Sequence, residues 1–149
     1  MASLTHWRRL VAALLVLALS ACSGSRDADE TARLFLDQYL VASDQRAAIK
    51  LTTGRARAEL QKEIDLLSSF EGREQALSEL RAEADMTKLE ELKRENGDVA
   101  LLYSVSLKRS NVMLEPREIF LLVGMEAGEY KIKSFTFRSP SESRTSNTP

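Results

Sequence analysis

The spacing of apolar residues changes from a helical to an alternating pattern near residue 98, and this change constrains the fold more than any other feature. Between residues 30 and 84, apolar side chains recur every three or four positions, which is typical of helices with one buried stripe. From residue 99 to residue 137 they alternate, which is typical of strands. Helices followed by consecutive strands predict an α+β domain, in which N-terminal helices pack on a C-terminal antiparallel sheet of three or four strands.

The first half of the domain is expected to contain four helices. Asp29 is the predicted N-cap of the first one, because its carboxylate can accept hydrogen bonds from free backbone NH groups. Asp44 is the predicted N-cap of a short second helix that ends at Gly54. The expected helices cover residues 30–43, the stretch between Asp44 and Gly54, residues 55–70 and residues 73–84.

The second half is expected to form a strand meander. The middle strand is apolar at consecutive positions, which predicts a central place in the sheet. Tyr130 and Ile132 share one parity while Phe135 and Phe137 share the other, which predicts a β-bulge near Lys133-Ser134. The expected strands cover 99–107, 119–125 and 130–137, joined by a loop at 108–113 and by a tight turn at Ala127-Gly128.

Residues 86–95 allow two interpretations. Met86, Leu89 and Leu92 are spaced by three, which favours a helix. Asn96-Gly97 directly precedes a strong strand, which is a hairpin signal. We favour an edge strand here, because the many charged residues of the segment suit an edge that must not pair with other chains.

The first 22 residues have the layout of a secretory signal peptide. Arg8 and Arg9 give it a positive start, and an uncharged apolar run of ten residues follows from Leu10 to Leu19. As a helix this run is about 15 Å long, which is too short to span a hydrocarbon core of about 30 Å.

The end of this segment, Leu19-Ser20-Ala21-Cys22, resembles the lipobox of bacterial lipoproteins. The resemblance implies that Cys22 receives a diacylglyceryl group and that its freed amine receives a further acyl chain, such as palmitate. Ser23 in place of Asp then implies an outer-membrane location facing the periplasm. The alternative is an ordinary secreted protein that is cleaved near Ala21.

These observations predict four segments. Removal of the signal peptide leaves a short polar tether, then the domain, then a tail with two prolines and no large apolar side chain. The predicted boundaries are 1–21 for the lipoprotein signal peptide, 22–29 for the tether, 30–138 for the α+β domain and 139–149 for a disordered tail.

Several kinds of catalytic site and metal site are excluded for the mature chain that the signal peptide predicts. His6 and Trp7 lie in the predicted signal peptide, and Cys22, the only Cys, is the predicted lipid attachment site. Histidine-based triads and metal sites with His or several Cys ligands are therefore excluded, and we expect no metal and no cofactor. A net charge of −1 argues against a dedicated nucleic-acid binder.

The order of elements resembles the NTF2-like and cystatin-like superfamily of α+β domains. The resemblance rests on an N-terminal helix (ETARLFLDQYLVA), a short second helix (DQRAAIKLTT) and a C-terminal meander (DVALLYSVSL and EIFLLVGMEAGEYKIKSFTFR). It implies a pocket between sheet and helices. In some members of this superfamily an isomerase or dehydratase uses a buried Asp or a pair of Tyr residues.

Three functional hypotheses follow. We favour a non-enzymatic binding or scaffolding module of the cell envelope, which binds an envelope protein or a small apolar ligand. The second is an enzyme of the isomerase or dehydratase type, and the third is an interaction factor that docks through the helical segment 55–95. Candidate pocket residues, which we interpret first as core, are Tyr39, Tyr103, Phe120, Phe135 and Phe137; candidate catalytic residues are Asp37, Asp65, Tyr39 and Tyr103.

Overall fold

The structure is a computed structural model that describes residues 26–70 and 82–139. Its helices are α1 (Ala28–Leu36), α2 (Gln45–Ala48) and α3 (Gly54–Ser68), with a π-helical turn at Asp37–Val41 and a 3-10 turn at Ile49–Leu51. Its strands are β1 (Glu83–Lys93), β2 (Val99–Arg109), β3 (Val112–Met113), β4 (Arg117–Glu126) and β5 (Glu129–Arg138). The predicted α+β arrangement of N-terminal helices and a C-terminal antiparallel sheet is confirmed, but the sheet has five strands where three or four were expected.

The sheet has the order β1-β2-β4-β5, and every pair is antiparallel. The central position of the strand around residues 119–125 is confirmed, since β4 lies between β2 and β5. The predicted loop at 108–113 is wrong in part, because β3 pairs with the end of β2. Ser110 and Asn111 have φ angles of 48° and 64°, which close a tight turn between these two strands.

The edge-strand interpretation of residues 86–95 is confirmed by β1. Gly97 has a φ of 83°, and the backbone NH of Arg94 donates to Asp98 O at 2.8 Å, which closes the predicted hairpin. A register irregularity between Lys88 and Glu90 interrupts the ladder with β2. Charges and a bulge on an exposed edge both discourage pairing with other chains.

The predicted fourth helix over 73–84 falls mostly outside the described residues. Its predicted end is wrong, because Glu83 and Ala84 begin β1 instead. Ala84 pairs with Leu107 and packs against the core, as does Met86 two positions later. The alternation of inward-facing side chains on β1 therefore begins at Ala84, before the segment 86–95 for which a strand was predicted.

The predicted bulge in the last strand is confirmed at Lys133. Leu122 pairs with Ser134 while Val123 pairs with Ile132, so Lys133 is the additional residue. The extra residue allows both Ile132 and the phenylalanines beyond it to face the core, as their change of parity indicated. The turn at 127–128 is also confirmed, with φ angles of 50° and 83°.

The N-cap of α1 is Asp27, so the prediction of Asp29 is wrong. Glu30 N donates to Asp27 Oδ1 at 2.8 Å, and Asp27 N donates to Glu30 Oε2 at 3.2 Å, which makes a reciprocal capping box. The helix therefore starts at Ala28, and the predicted tether ends at residue 27. The cap at Asp44 is confirmed by the bond from Ala47 N at 2.9 Å.

Two other helix boundaries differ from the prediction. The first helix ends at Leu36, where the π-helical turn follows in place of the expected continuation to residue 43. The second ends at Leu51 when its 3-10 turn is included, and Gly54 begins α3 instead of ending the element before it.

One face of the sheet is covered by the helices. The main buried residues of this core are Ala32, Phe35, Leu36, Ala48, Ala56, Leu60, Leu101, Tyr103, Ile119, Leu121, Val123 and Ile132. The helical stripe and the alternating strand positions thus meet in one core, whose buried side chains are almost all aliphatic or aromatic.

Candidate functional site

Beneath the first helix, a buried tyrosine and a carboxylate form the centre of a cluster of polar and charged side chains. Tyr103 lies on β2 and is fully buried, and its hydroxyl donates to Asp29 Oδ1 in the first turn of α1. The capping box at Asp27 fixes the start of the helix, and this start directs Asp29 toward the sheet. The bond links residues that are 74 positions apart in the chain.

Two cations complete the environment of the Asp29 carboxylate. Lys88 Nζ lies 3.2 Å from Asp29 Oδ1, and Arg33 Nε lies 3.0 Å from Asp29 Oδ2. Lys88 also pairs with Glu91 at 2.7 Å, and the guanidinium carbon of Arg33 lies 5.5 Å from the ring centre of Tyr103. We call these five residues the Asp29 cluster; they join α1, β1 and β2.

The electrostatics of the Asp29 cluster keep its acid ionised and its phenol protonated. Burial raises the pKa of Asp29, but hydrogen bonds from Tyr103, Arg33 and Lys88 outweigh this effect and place it below its ordinary value. Burial, followed by the hydrogen bond to Asp29, raises the pKa of Tyr103. The hydrogen bonds and ion pairs of the Asp29 cluster link three elements of the fold, α1, β1 and β2.

A second tyrosine–carboxylate pair lies between the π-helical turn and α3. Tyr39 Oη is 3.0 Å from both Oε1 and Oε2 of Glu63. Burial, and then the charge of Glu63, raise the pKa of Tyr39. This pair ties the turn after α1 to the middle of α3.

Aromatic rings surround Tyr39 and contact one another. Tyr39 stacks on Phe35 at 5.6 Å between ring centres and lies 5.4 Å from Phe135 and 6.0 Å from Phe137. Phe135 also lies 5.3 Å from Phe35 and 5.8 Å from Phe137. Rings at these distances fill the space between them, which is the packing expected of a core.

The structure separates several of the residues that the sequence grouped together. Phe120 alternates with buried Ile119 and Leu121 and lies on the other face of the sheet, so its assignment to a shared pocket is wrong. Asp37 and Asp65 are exposed, and Asp65 accepts a hydrogen bond from Gln61. The carboxylates that contact the two tyrosines are Asp29 and Glu63, neither of which the sequence identified for this role.

The helical segment 55–95 that we considered as a docking element is not helical throughout. Helix α3 ends at Ser68, and residues 83–93 form β1. Leu66 and Phe70, at the end of α3 and just after it, have exposed side chains.

An ion pair with a buried carboxylate lies on the face of the sheet away from α1. Lys133 Nζ is 2.9 Å and 3.0 Å from the two oxygens of Asp98, and Asn96 donates to Asp98 Oδ2 at 3.0 Å. The hydrogen bond from Lys133 lowers the pKa of Asp98 below its ordinary value. Gly124 provides the room for this pair, since a Cβ there would overlap Asp98 Oδ1 and lie 2.7 Å from Lys133 Cδ.

Some predictions concern parts of the chain that are not described. Cys22, the signal peptide and the tail beyond residue 139 lie outside the described ranges. Within residues 26–70 and 82–139, no group of three or more His, Cys, Asp or Glu side chains is placed to hold a metal ion. In the same ranges, no helix has the length and apolar character needed to cross a bilayer.

No protein-family model matches the chain, and no curated protein matches it significantly. Its structure is similar to that of Aln2 from a Streptomyces species, with a TM-score of 0.47 and 9% sequence identity, over 78% of this chain and 89% of that chain.

Proposed function

We propose that the protein is a lipoprotein of the bacterial cell envelope, anchored through lipid on Cys22. Its α+β domain is a non-enzymatic binding or scaffolding module that faces the periplasm from the outer membrane. The observation that carries the proposal is the segment Leu19-Ser20-Ala21-Cys22, which follows an apolar run of signal-peptide length.

The start of the folded domain is consistent with an anchor at Cys22. The capping box at Asp27 fixes the first helix only five residues beyond that cysteine. Five residues span at most about 17 Å when extended, so an acylated Cys22 would hold the domain next to the bilayer. Two or three acyl chains, at about 0.8 kcal/mol for each buried CH₂, give stable attachment.

The state of the tyrosine–carboxylate pairs supports a non-enzymatic domain. Each tyrosine hydroxyl is already bonded to a carboxylate, and the pKa of each tyrosine is raised. The pKa of Asp29 is lowered, which makes its carboxylate a weaker base. In addition, the chain after residue 22 contains no histidine and no cysteine.

Substitution of the anchor residue tests the first part of the proposal. Wild-type protein, made in a bacterial host with a palmitate analogue, should be labelled and recovered with the membranes. Cys22→Ala should be unlabelled and should either retain its signal peptide or be released. Ser25→Ala is the matched control, because it changes a polar residue in the same tether and should behave as wild type. Normal cleavage and membrane attachment of Cys22→Ala would contradict the proposal.

Crosslinking of the anchored protein tests the second part. A binding or scaffolding module should yield a reproducible adduct with an envelope protein, or should retain a small molecule in native mass spectrometry. If the folded, anchored protein gives neither an adduct nor a bound molecule, the binding role is wrong even if Cys22 is acylated.

A further inference from the structure

An apolar hairpin tip (residues 110–114) projects from the end of β2. Its three consecutive apolar side chains are largely exposed: Val112 at 61%, Met113 at 62% and Leu114 at 41%. The tip has a defined position, because Leu114 N donates to Leu107 O at 2.8 Å and β3 pairs with β2. Three exposed apolar residues in a row are unlike the single ones that are scattered over ordinary protein surfaces.

The tip is flanked by positive charge. Lys108 pairs with Met113 in the sheet and Arg109 pairs with Val112, so both cations border the apolar residues. Lys108 Nζ also lies 3.7 Å from Glu83 Oε2, but this ion pair is solvent-exposed and therefore weak. Residues 108–117 contain three basic side chains and one acidic side chain, whereas the whole chain carries a net charge of −1. Long basic side chains can lie along apolar surface while their charged ends contact anionic head groups.

The tip is within reach of the surface to which Cys22 would be anchored. Asp29, near the start of the domain, contacts Tyr103 on β2. Lys108, where the hairpin begins to pair, lies five residues farther along this strand, or about 17 Å at about 3.4 Å per residue. The tether from Cys22 has about the same maximum length. A domain of about 100 residues has a radius of gyration of about 13 Å, so a tether this short brings part of its surface against the bilayer.

We propose that the hairpin tip inserts into the surface of the anionic bilayer that holds the lipid anchor. Val112, Met113 and Leu114 enter the boundary between head groups and acyl chains, and Lys108 and Arg109 contact the head groups. Together with the acyl chains on Cys22, the tip fixes the orientation of the domain on the membrane. This inference rests on the proposed lipid anchor.

Depth-dependent fluorescence quenching of the acylated full chain tests the inference. Met113→Cys is purified from membranes, labelled with an environment-sensitive fluorophore and reconstituted into phosphatidylglycerol–phosphatidylethanolamine vesicles. The introduced thiol is the reactive one, because the chain has a single natural cysteine and acylation consumes its thiol. Leu92→Cys on β1 is the matched control, since Leu92 is 64% exposed but lies outside the tip. If the circular dichroism spectrum of Met113→Cys differs from that of wild type, Val112→Cys replaces it.

The expected result is a loss of emission from the tip probe when nitroxide-labelled lipid is included, with unchanged emission from the control. An unquenched tip probe overturns the inference, as does equal quenching of both probes. A blue shift of the tip probe without quenching by lipid also overturns it, because that result indicates burial against protein, such as a second copy. Failure of the anchor is detected separately: if unsubstituted protein reacts with maleimide at Cys22 before vesicles are added, the proposed function is wrong and this inference falls with it.

Discussion

Replacement of Gly124 by alanine should destabilise the protein by breaking the ion pair on the outer face of the sheet. Gly124 does not have a positive φ, so its backbone accepts alanine without strain. The new Cβ would overlap Asp98 Oδ1 and lie 2.7 Å from Lys133 Cδ. Asp98 is only 6% exposed and is bonded to Lys133 Nζ at 2.9 Å and 3.0 Å, so both side chains must shift and their ion pair is weakened when the methyl group is added.

The sign of the change in the free energy of unfolding distinguishes a steric clash with the ion pair from the effect of backbone propensity. In a strand without a clash, alanine is favoured over glycine by about 0.5–1 kcal/mol. Loss of a charge-assisted hydrogen bond costs about 1.5–3 kcal/mol, and overpacking costs about 1–3 kcal/mol. The side chain of Lys133 is 41% exposed, so solvent screens the pair and the lower part of these ranges applies. With the gain from backbone propensity subtracted, we expect a net loss of about 1–2 kcal/mol in the free energy of unfolding.

Urea unfolding followed by far-ultraviolet circular dichroism measures this loss, because the only tryptophan of the chain, Trp7, lies outside the domain. Gly124→Ala should cost less in an Asp98→Ala background, where the overlap with Asp98 Oδ1 is absent and the side chain of Lys133, no longer held by Asp98, can move away from the new methyl group. Gly128→Ala is the control: its φ of 83° predicts a loss from backbone strain alone, equal in both backgrounds. The reasoning would be refuted if the Gly124→Ala protein is as stable as wild type. It would also be refuted if the substitution lowers the free energy of unfolding equally in both backgrounds.

Three further predictions concern the Asp29 cluster and the anchor. Tyr103→Phe should lower the free energy of unfolding by about 0.5–1.5 kcal/mol, because Asp29 loses a part-buried hydrogen-bond donor but keeps Arg33 and Lys88; an unchanged urea midpoint would contradict this. The folded pKa of Asp29 lies below its ordinary value of 3.8, so its stabilisation is present above that pH and is lost as the pH falls through the folded pKa. When urea unfolding is measured at several pH values, the free energy of unfolding of Asp29→Asn should therefore fall less on acidification than that of wild type. If the two proteins lose the same free energy over this pH range, the prediction is wrong. Ser23→Asp should move the anchored protein from the outer-membrane to the inner-membrane fraction in a sucrose gradient, and an unchanged distribution would show that residue 23 does not direct sorting here.

Local patterns were sufficient to predict most of the sheet, although they missed β3 and the start of β1. The change of parity between Ile132 and Phe135 located the bulge at Lys133, because side chains on a strand alternate strictly unless a residue is added. Asn96-Gly97 decided correctly between helix and strand for the preceding segment, since the turn requires a positive φ that glycine adopts freely. In both cases the deciding interaction lies within a few residues of the signal.

The candidate site could not be predicted from the sequence, because it depends on long-range contacts that the spacing of residues does not reveal. Asp29 was assigned to the wrong role, although the reciprocal pattern of Asp27 and Glu30 was visible in the sequence and would have identified the true cap. The partnership of Asp29 with Tyr103 spans 74 positions and depends on how α1 crosses the sheet. The bond between Tyr39 and Glu63 likewise depends on the π-helical turn, which the helical stripe did not predict.

Mass spectrometry of the amino-terminal peptide tests the envelope lipoprotein proposal most directly. Trypsin cleaves after Arg26, so mature protein from the membrane fraction should yield a peptide of residues 22–26. The account predicts that this peptide carries a diacylglyceryl group on the Cys22 sulfur and an acyl chain on its amine. A peptide that begins at another residue, an uncleaved signal peptide, or a free thiol on Cys22 would contradict it.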